Sequence, residues 1–344
     1  MKRQEIIFEV ITCLNVKASL HYRNAMSLLS QTNSLDNIQN VAKQCNAAAA
    51  IMKYLASDLI PNWKSLKDDC NKPKSNVFRH PESYECVCRG LMAYFQSSAQ
   101  ACSIYKAINK KNTPPSLISK LCIAVVAYID RSIKEFSSTE YKHDLLPSDL
   151  HSNLRFIKFF YLSLSRYYQG EEFYLNGETS KSLPCLRASL KYLDIQKNGD
   201  TIPELVGTLA GVKDGVDILK RKVLQRLNQV DEENQIVQLQ SSVDIQSIDF
   251  PQSVVVVQIT DYIRPCLSHE NPAVNFEKNQ QLPVKTNNTN ILGSIFSNLG
   301  LGGGSNTTKV NMNEKSAESV ISERPRSDSD IARELQDKIN KGLE

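Results

Sequence analysis

The sequence predicts an all-α protein, a tetratricopeptide-like stack of antiparallel helical hairpins. Apolar residues recur every three or four positions from residue 4 to about 230, which is the period of an amphipathic helix. The 344 residues include only 13 glycines and 13 prolines, whereas strand-and-turn folds depend on both residues at their turns. The breaks in the periodicity coincide with capping residues, prolines and glycines, which are typical helix boundaries.

The periodicity divides into seven predicted helices. They are expected near residues 4–31, 34–60, 82–111, 115–136, 147–177, 179–198 and 202–230. The last helix shows the pattern most plainly, because its apolar residues form a single stripe. Pro61 ends the second helix, since proline cannot donate the helical hydrogen bond. Thr113 followed by Pro114 and Pro115 begins the fourth, as a capping residue with prolines at the helix start.

A weak internal repeat supports the stacked hairpins. Tyr22, Tyr94 and Tyr167 lie 72 and 73 residues apart, each in the first helix of a predicted hairpin. This interval is close to two tetratricopeptide units of about 34 residues each, which stack as helix pairs. Chance spacing of the tyrosines is the rival interpretation, and the sequence leaves both open.

The pattern changes after residue 230. Residues 231–277 have little helical period, contain three prolines and include the apolar run 254–257, so we expect an extended segment strapped along the helices. Residues 278–344 are rich in Asn, Ser and Gly and bury too little apolar surface to offset the entropy of ordering. The sequence therefore predicts a helical domain at 1–277 and a disordered low-complexity tail at 278–344.

Composition argues against several classes of function. The 41 basic and 37 acidic residues give a net charge of +4, without the concentrated basic stripe of a nucleic-acid-binding protein. No stretch reaches the roughly 20 apolar residues that a membrane span needs. The nine cysteines are odd in number, scattered and without a CxxC pair, which favours buried free thiols in a reducing compartment. We therefore expect a cytoplasmic protein.

The sequence carries no motif for catalysis, a metal or a cofactor. Its five histidines are spread along the chain without metal-ligand spacing. It has neither the HExxH motif of zinc proteases nor the GxSxG motif of hydrolases. We therefore expect a non-enzymatic protein without a cofactor.

Several segments, in order along the chain, resemble the Bro domain family of Alix-like and BROX-like proteins. The resemblance lies in residues 6–29, 45–61, 97–121 and 156–193, and in the last helix with the ENQIV sequence that follows it. It extends from residue 4 to about 277 and implies a boomerang-shaped, tetratricopeptide-like helical core. It also implies that the N-terminal lobe of the family is missing from this chain.

The resemblance further implies a partner and a site. The family binds the C-terminal amphipathic helix of ESCRT-III subunits, the Snf7-type charged multivesicular body proteins, in endosomal sorting and membrane remodelling. Carried over to this sequence, the apolar patch for that helix falls on Ser103, Ile104, Leu117, Ile118 and Leu121. Its polar rim falls on Leu35, Asp36 and Gln39. Because Leu117 and Leu121 lie four residues apart on one helix face, we expect them to form the floor of an exposed groove.

Two kinds of alternative stay open at this point. Leucines at this spacing are also typical of a helical core, in which case the patch is buried. The function then differs as well: a tetratricopeptide-like scaffold that binds another peptide, or a truncated product without an independent function. The Bro-like interpretation predicts an adaptor in the cytoplasm that associates with endosomal membranes through its partners.

Overall fold

The computed structural model describes residues 3–31, 35–63, 81–138, 148–194 and 210–263. Within them lie seven α-helices and no strand. The helices are α1 (Arg3–Gln31), α2 (Leu35–Tyr54), α3 (Glu85–Asn109), α4 (Pro115–Phe136), α5 (Ser148–Leu175), α6 (Thr179–Leu193) and α7 (Ala210–Glu233). The predicted all-α class is confirmed.

The helices form a stack in which each packs chiefly against its neighbours in sequence. Three hairpins, α1/α2, α3/α4 and α5/α6, follow one another, with α7 against α6 at one end and α1 at the other. Tyr22, Tyr94 and Tyr167 occupy the first helices of the three hairpins, in agreement with the repeat. The Tyr22 hydroxyl donates a hydrogen bond to the Tyr94 hydroxyl, 2.9 Å away, so two of the equivalent positions meet.

Buried serines allow the inner helices to approach closely. The Oγ atoms of Ser119 in α4 and Ser165 in α5 lie 2.8 Å apart, and those of Ser163 in α5 and Ser189 in α6 are also 2.8 Å apart. The four side chains are almost wholly buried. Each hydroxyl also lies within hydrogen-bond distance of the backbone carbonyl of its partner. The small side chains therefore fill the crossing points without leaving a polar group unsatisfied.

After α7 the chain returns across the stack. A π-helical turn, Asn234–Gln238, follows the helix and ends at Leu239, whose backbone is left-handed (φ 49°). Residues 240–263 then contain no helix or strand apart from the short 3₁₀ turn Ile245–Ser247. We call residues 239–263 the strap. The extended segment that the sequence predicts from residue 231 is thus present, but it begins at 239 because the helical conformation continues further than the periodicity indicates.

Pro184 explains one anchor of the strap. It lies inside α6 and has no N–H, so the carbonyl of Ser180, four residues earlier, loses its helical donor. The N–H of Val243 donates to that carbonyl at 3.1 Å, and the Ser180 N–H donates to Oε1 of Gln240 at 3.1 Å. The strap therefore satisfies backbone groups that α6 leaves open.

Gln100 of α3 holds the middle of the strap. Its side chain is fully buried, with Nε2 donating to the Val254 carbonyl at 3.0 Å and Oε1 accepting from the Val256 N–H at 3.1 Å. The N–H of Val254 also donates to the carbonyl of Lys120 in α4, at 3.2 Å. The strap therefore crosses the α3/α4 hairpin at this level.

The far end of the strap reaches the first hairpin. Asp261 forms an ion pair of 2.7 Å with Lys53 of α2, and Tyr262 packs against Tyr54 at a ring-centroid distance of 5.4 Å. Nζ of Lys17 in α1 also lies 5.3 Å from the centroid of the Tyr262 ring. One segment thus touches helices from α6 to α1 and ties the three hairpins together.

The remaining predictions about organisation concern other parts of the chain. The proposed boundary at residue 277 and the disordered tail at 278–344 lie outside the described residues. Among the described helices, none has both the length and the apolar character needed to cross a membrane.

Candidate partner-binding surface

The structure places the predicted apolar patch in the interior. Ser103, Ile104, Leu117 and Leu121 are 0% exposed, and Ile118 is 4% exposed. The four apolar residues belong to one buried cluster that extends from α1 to α7 and includes residues of the strap. The expectation that these residues line a groove open to solvent is therefore wrong. They belong to the helical core, which is the alternative that the spacing left open.

The physical reason is one continuous core, to which the strap contributes. Its hydrogen bonds to Gln100 and Lys120 lay residues 254–257 across α3 and α4. Val256 and Val257 are each 1% exposed and belong to the same buried cluster as Leu117 and Leu121. The patch that was expected to receive a foreign helix is thus part of the core of the chain itself.

The predicted polar rim is placed only in part. Leu35 begins α2 and Asp36 lies in its first turn, but their side chains lie outside the described residues. Gln39 is half-buried on the same helix. The role of these three residues stays a prediction.

A cleft of about 590 Å³ lies beside α1. Its lining residues on this helix extend from Phe8 to Arg23, a distance of about 22 Å at the helical rise of 1.5 Å per residue. Phe8, Thr12, Ser19 and Arg23 recur at helical spacing, so one face of α1 forms the long wall. The floor and the opposite wall come from Met52 of α2, Leu91 of α3 and the turn at Glu82 and Ser83.

The cleft combines an apolar floor with a few polar groups. Ile11 and Met52 are each 1% exposed. Asn15 is 7% exposed, and its Nδ2 donates to the carbonyls of Ile11 and Glu82 at 3.0 and 3.3 Å. Its Oδ1 is buried without a hydrogen-bond partner, which is a costly arrangement in a folded protein. Arg23 is exposed at one end of the cleft, where it places a positive charge.

A second hollow, between α1, α2 and α3, holds only about 20 Å³. Met26, Ile38, Val41 and Cys102 are among its apolar lining residues. This volume is close to that of one water molecule, too small for a side chain from a partner. The cleft beside α1 is the better candidate for binding.

Six of the seven described thiols are structural groups rather than reactive ones. Cys45, Cys86, Cys88, Cys102, Cys122 and Cys185 are buried and free, as the sequence predicts, whereas Cys13 is exposed. Burial raises the pKa of Cys88 and Cys102 to about 12 and that of Cys185 to about 11. These thiols therefore stay protonated near neutral pH, and the thiolate is the nucleophilic form.

The stacked hairpins and the returning strap are matched by a known domain. A family model for the BRO1-like domain matches residues 1–299, which is most of the chain. The chain belongs to the BRO1-like domain family. The resemblance seen in the sequence is thus confirmed, although no curated protein gives a significant match to this chain.

Solved structures agree with this BRO1-like assignment. A Bro1 domain, described as the structural basis for endosomal targeting, superposes with a TM-score of 0.54 at 17% identity. ALIX in complex with the SIVmac239 PYKEVTEDL late domain gives 0.55 at 14% identity, and an ALIX BRO1–CHMP4C complex gives 0.52 at 15% identity. At these identities the likeness shows the fold alone.

The three superpositions cover a larger share of this chain than of the solved structures. They cover 74%, 73% and 71% of this BRO1-like chain and 62%, 33% and 64% of the other chains, respectively. The chain thus spans less than two thirds of the length of the structures that it matches.

Proposed function

We propose that this BRO1-like chain binds the amphipathic C-terminal helix of an ESCRT-III subunit and acts as a non-enzymatic adaptor in endosomal sorting and membrane remodelling. Two findings support the partner: the family assignment over residues 1–299 and the likeness in fold to the ALIX BRO1 domain of the CHMP4C complex. On this proposal the chain is cytoplasmic and reaches endosomal membranes through its partner.

The cleft beside α1 is the observation that carries the proposal. Its wall of about 22 Å matches a helix of about 15 residues at 1.5 Å per residue. An amphipathic helix presents apolar side chains at positions i, i+3, i+4 and i+7, which suits an elongated apolar floor. Met52 and Leu91 provide that floor, and Arg23 at the end of the cleft favours an acidic residue on the partner.

The expected affinity is modest. Burial of two or three leucine-sized side chains contributes about 1.5–3 kcal/mol each, against an association cost of about 4–15 kcal/mol. An exposed ion pair to Arg23 adds only about 0.2–1 kcal/mol. We therefore expect a dissociation constant of about tens of micromolar or weaker, with the apolar anchors carrying most of the binding energy.

The α3/α4 hairpin is the alternative location for the same partner. Docking there over Leu117 and Leu121, with Asp36 and Gln39 at the rim, requires the strap to leave the hairpin, because residues 254–257 cover it. The cleft beside α1 is available without such a rearrangement. We therefore assign the proposed contact to the cleft.

Fluorescence anisotropy with a labelled peptide from the C-terminal helix of a Snf7-type subunit tests this assignment. Ser19 is exposed and lines the cleft, so Ser19→Trp places an indole in the path of the peptide and should weaken binding about tenfold or more, equivalent to about 1.4 kcal/mol. Asn24 is exposed on the same helix outside the lining, and Asn24→Trp should leave the affinity unchanged.

Several outcomes of this titration count against the proposal. Absence of saturable binding by the wild-type chain at high micromolar concentration contradicts the proposed partner. If a pull-down then recovers other peptides, a general helical scaffold is favoured. Equal binding by Ser19→Trp and the wild type contradicts the cleft as the binding site. Tighter binding by Gln100→Ala, which frees the strap, moves the contact to the α3/α4 hairpin.

A further inference from the structure

The outer face of α1 carries a stripe of exposed aliphatic side chains at the end of the stack. Ile6, Val10, Val16 and Leu20 are 47%, 42%, 54% and 52% exposed, and Cys13 between them is also exposed. Steps of four, three, three and four residues keep these five positions on one face of the helix. In the part of the chain that the structure describes, α1 packs on α2 while this stripe stays open to solvent.

The stripe is symmetric about Cys13. Val10 and Val16 lie three residues to either side of the cysteine, and Ile6 and Leu20 lie seven residues to either side. When two copies of a helix pair antiparallel about a two-fold axis beside one residue, positions equally far before and after that residue meet at the same level. Such pairing of α1 places Ile6 level with Leu20 of the second copy, and Val10 level with Val16.

The charges on the same face follow the same symmetry. Glu9 and Lys17 are exposed and lie four residues before and four residues after Cys13. Antiparallel pairing therefore brings each Glu9 level with Lys17 of the other copy, twice per pair. Both the apolar and the charged positions are thus self-complementary, which is the requirement for an interface between identical subunits related by a two-fold axis.

We propose that two copies of this chain associate through the outer faces of α1, antiparallel, with the two-fold axis beside Cys13. The apolar pairs and the Glu9–Lys17 pairs share the seam, and the charged pairs fix its direction and register. The seam contains only five positions from each copy, and interfaces well below about 1,200 Å² are transient. The expected dimer is therefore weak, with a dissociation constant of about 10 µM or above, equivalent to about 7 kcal/mol.

This inference is independent of the proposed partner. Glu9 and Lys17 do not line the cleft beside α1, whereas Val16 and Leu20 border both surfaces. Charge variants at Glu9 and Lys17 thus test self-association without altering the cleft. Loss of dimerisation with normal peptide binding, or the converse, separates the two proposals.

Sedimentation velocity of the full chain over a range of about 5 to 200 µM provides the first test. The wild type should shift from monomer towards dimer as concentration rises. Glu9→Lys and Lys17→Glu should each weaken the dimer about fivefold or more, because like charges then face each other in both pairs. The double variant Glu9→Lys/Lys17→Glu should restore it. Lys220→Glu, an equal charge change at an exposed position of α7, should leave it unchanged.

Cross-linking at the symmetry axis tests the register directly. A short bis-maleimide should join Cys13 to Cys13 of the second copy, identified as a linked peptide by mass spectrometry, and Cys13→Ser should abolish that peptide. A wild-type chain that stays monomeric throughout the concentration range overturns the proposal. A double charge variant that fails to restore the dimer, or cross-linked dimers without the Cys13–Cys13 peptide, also overturns it.

Discussion

At the scale of single residues, the environment of the predicted patch is set by contacts that lie far apart in sequence. Spacing places Leu117 and Leu121 on one face of α4, but spacing does not say which element covers that face. Both leucines belong to a buried cluster that also contains Val256 and Val257, more than a hundred residues later. The helical period therefore identifies these side chains as apolar neighbours and does not determine whether they are buried.

Truncation of Leu121 measures this burial. The side chain is 0% exposed, so Leu121→Ala should lower the free energy of unfolding by about 2–5 kcal/mol through lost contacts and a cavity. Leu224 is 40% exposed, and Leu224→Ala should lower it by less than about 1 kcal/mol. Urea denaturation gives both values. If Leu121→Ala lowers the free energy of unfolding by less than about 1 kcal/mol, the residue is accessible in solution and the patch becomes a candidate binding surface again.

The cysteines differ in their expected reactivity. Cys13 is exposed, while the six other described thiols are buried. Brief treatment of the native chain with iodoacetamide at pH 8 should modify Cys13 and leave those six unmodified, because only an accessible thiolate reacts. Peptide mapping by mass spectrometry reads the result. Rapid modification of Cys45 or Cys122 under native conditions contradicts the burial described for the core.

The buried thiols also predict a loss of stability at alkaline pH. Burial raises the pKa of Cys102 from the ordinary value of 9.0 to about 12. Below pH 9 the folded and unfolded chains both keep this proton, so its contribution to stability is fully present. Between pH 9 and 12 the unfolded chain releases the proton first, and the free energy of unfolding should fall by about 1.4 kcal/mol per pH unit for each such thiol.

Urea denaturation at pH 8, 9, 10 and 11 measures that slope. Cys102→Ala removes one titrating group, and the decline should become shallower by about 1.4 kcal/mol per pH unit. An unchanged slope in this variant indicates that the Cys102 thiol ionises equally in the folded and unfolded states.

At the scale of elements, local signals and long-range contacts contribute differently. The helices were predictable because their signals are local: the apolar period, and Pro114 and Pro115 at the start of α4. The strap was predictable as extended chain, since prolines and a lost period mark it. The path of the strap across the helices was not predictable. It depends on Pro184, which leaves the Ser180 carbonyl without a helical donor, and on Gln100, which bonds to the backbone of Val254 and Val256.

Removal of the Gln100 side chain tests the role of the strap. Gln100→Ala leaves the Val254 carbonyl and the Val256 N–H without their partner in a buried position, and each unsatisfied group costs about 1–3 kcal/mol. We expect lower stability and earlier cleavage within residues 248–258 during limited proteolysis. Gln169 makes one exposed bond to the strap, from Nε2 to the Asp249 carbonyl at 2.8 Å, and also accepts from Arg166 within α5 at 2.8 Å. Gln169→Ala therefore removes only one exposed strap contact and should increase cleavage of the strap much less. Equal effects of the two variants contradict a dominant clamp at Gln100.

At the scale of the whole molecule, the stack has two different ends. At the far end, α7 is held to α5 by the bidentate ion pair of Arg226 with Glu171, at 2.5 and 2.9 Å. At the near end, α1 exposes both a cleft and an aliphatic stripe. The strap closes the intervening α3/α4 face. Both surfaces that we propose for other molecules therefore lie on α1, which the family resemblance alone did not indicate.

Hydrogen–deuterium exchange with and without the ESCRT-III helix peptide tests the central claim most directly, since binding protects the amides of the elements that it stabilises. We expect slower exchange in residues 8–23 and 81–83, with residues 100–121 and the strap unchanged. Unaltered exchange throughout at saturating peptide, or protection confined to residues 100–121, contradicts binding in the cleft.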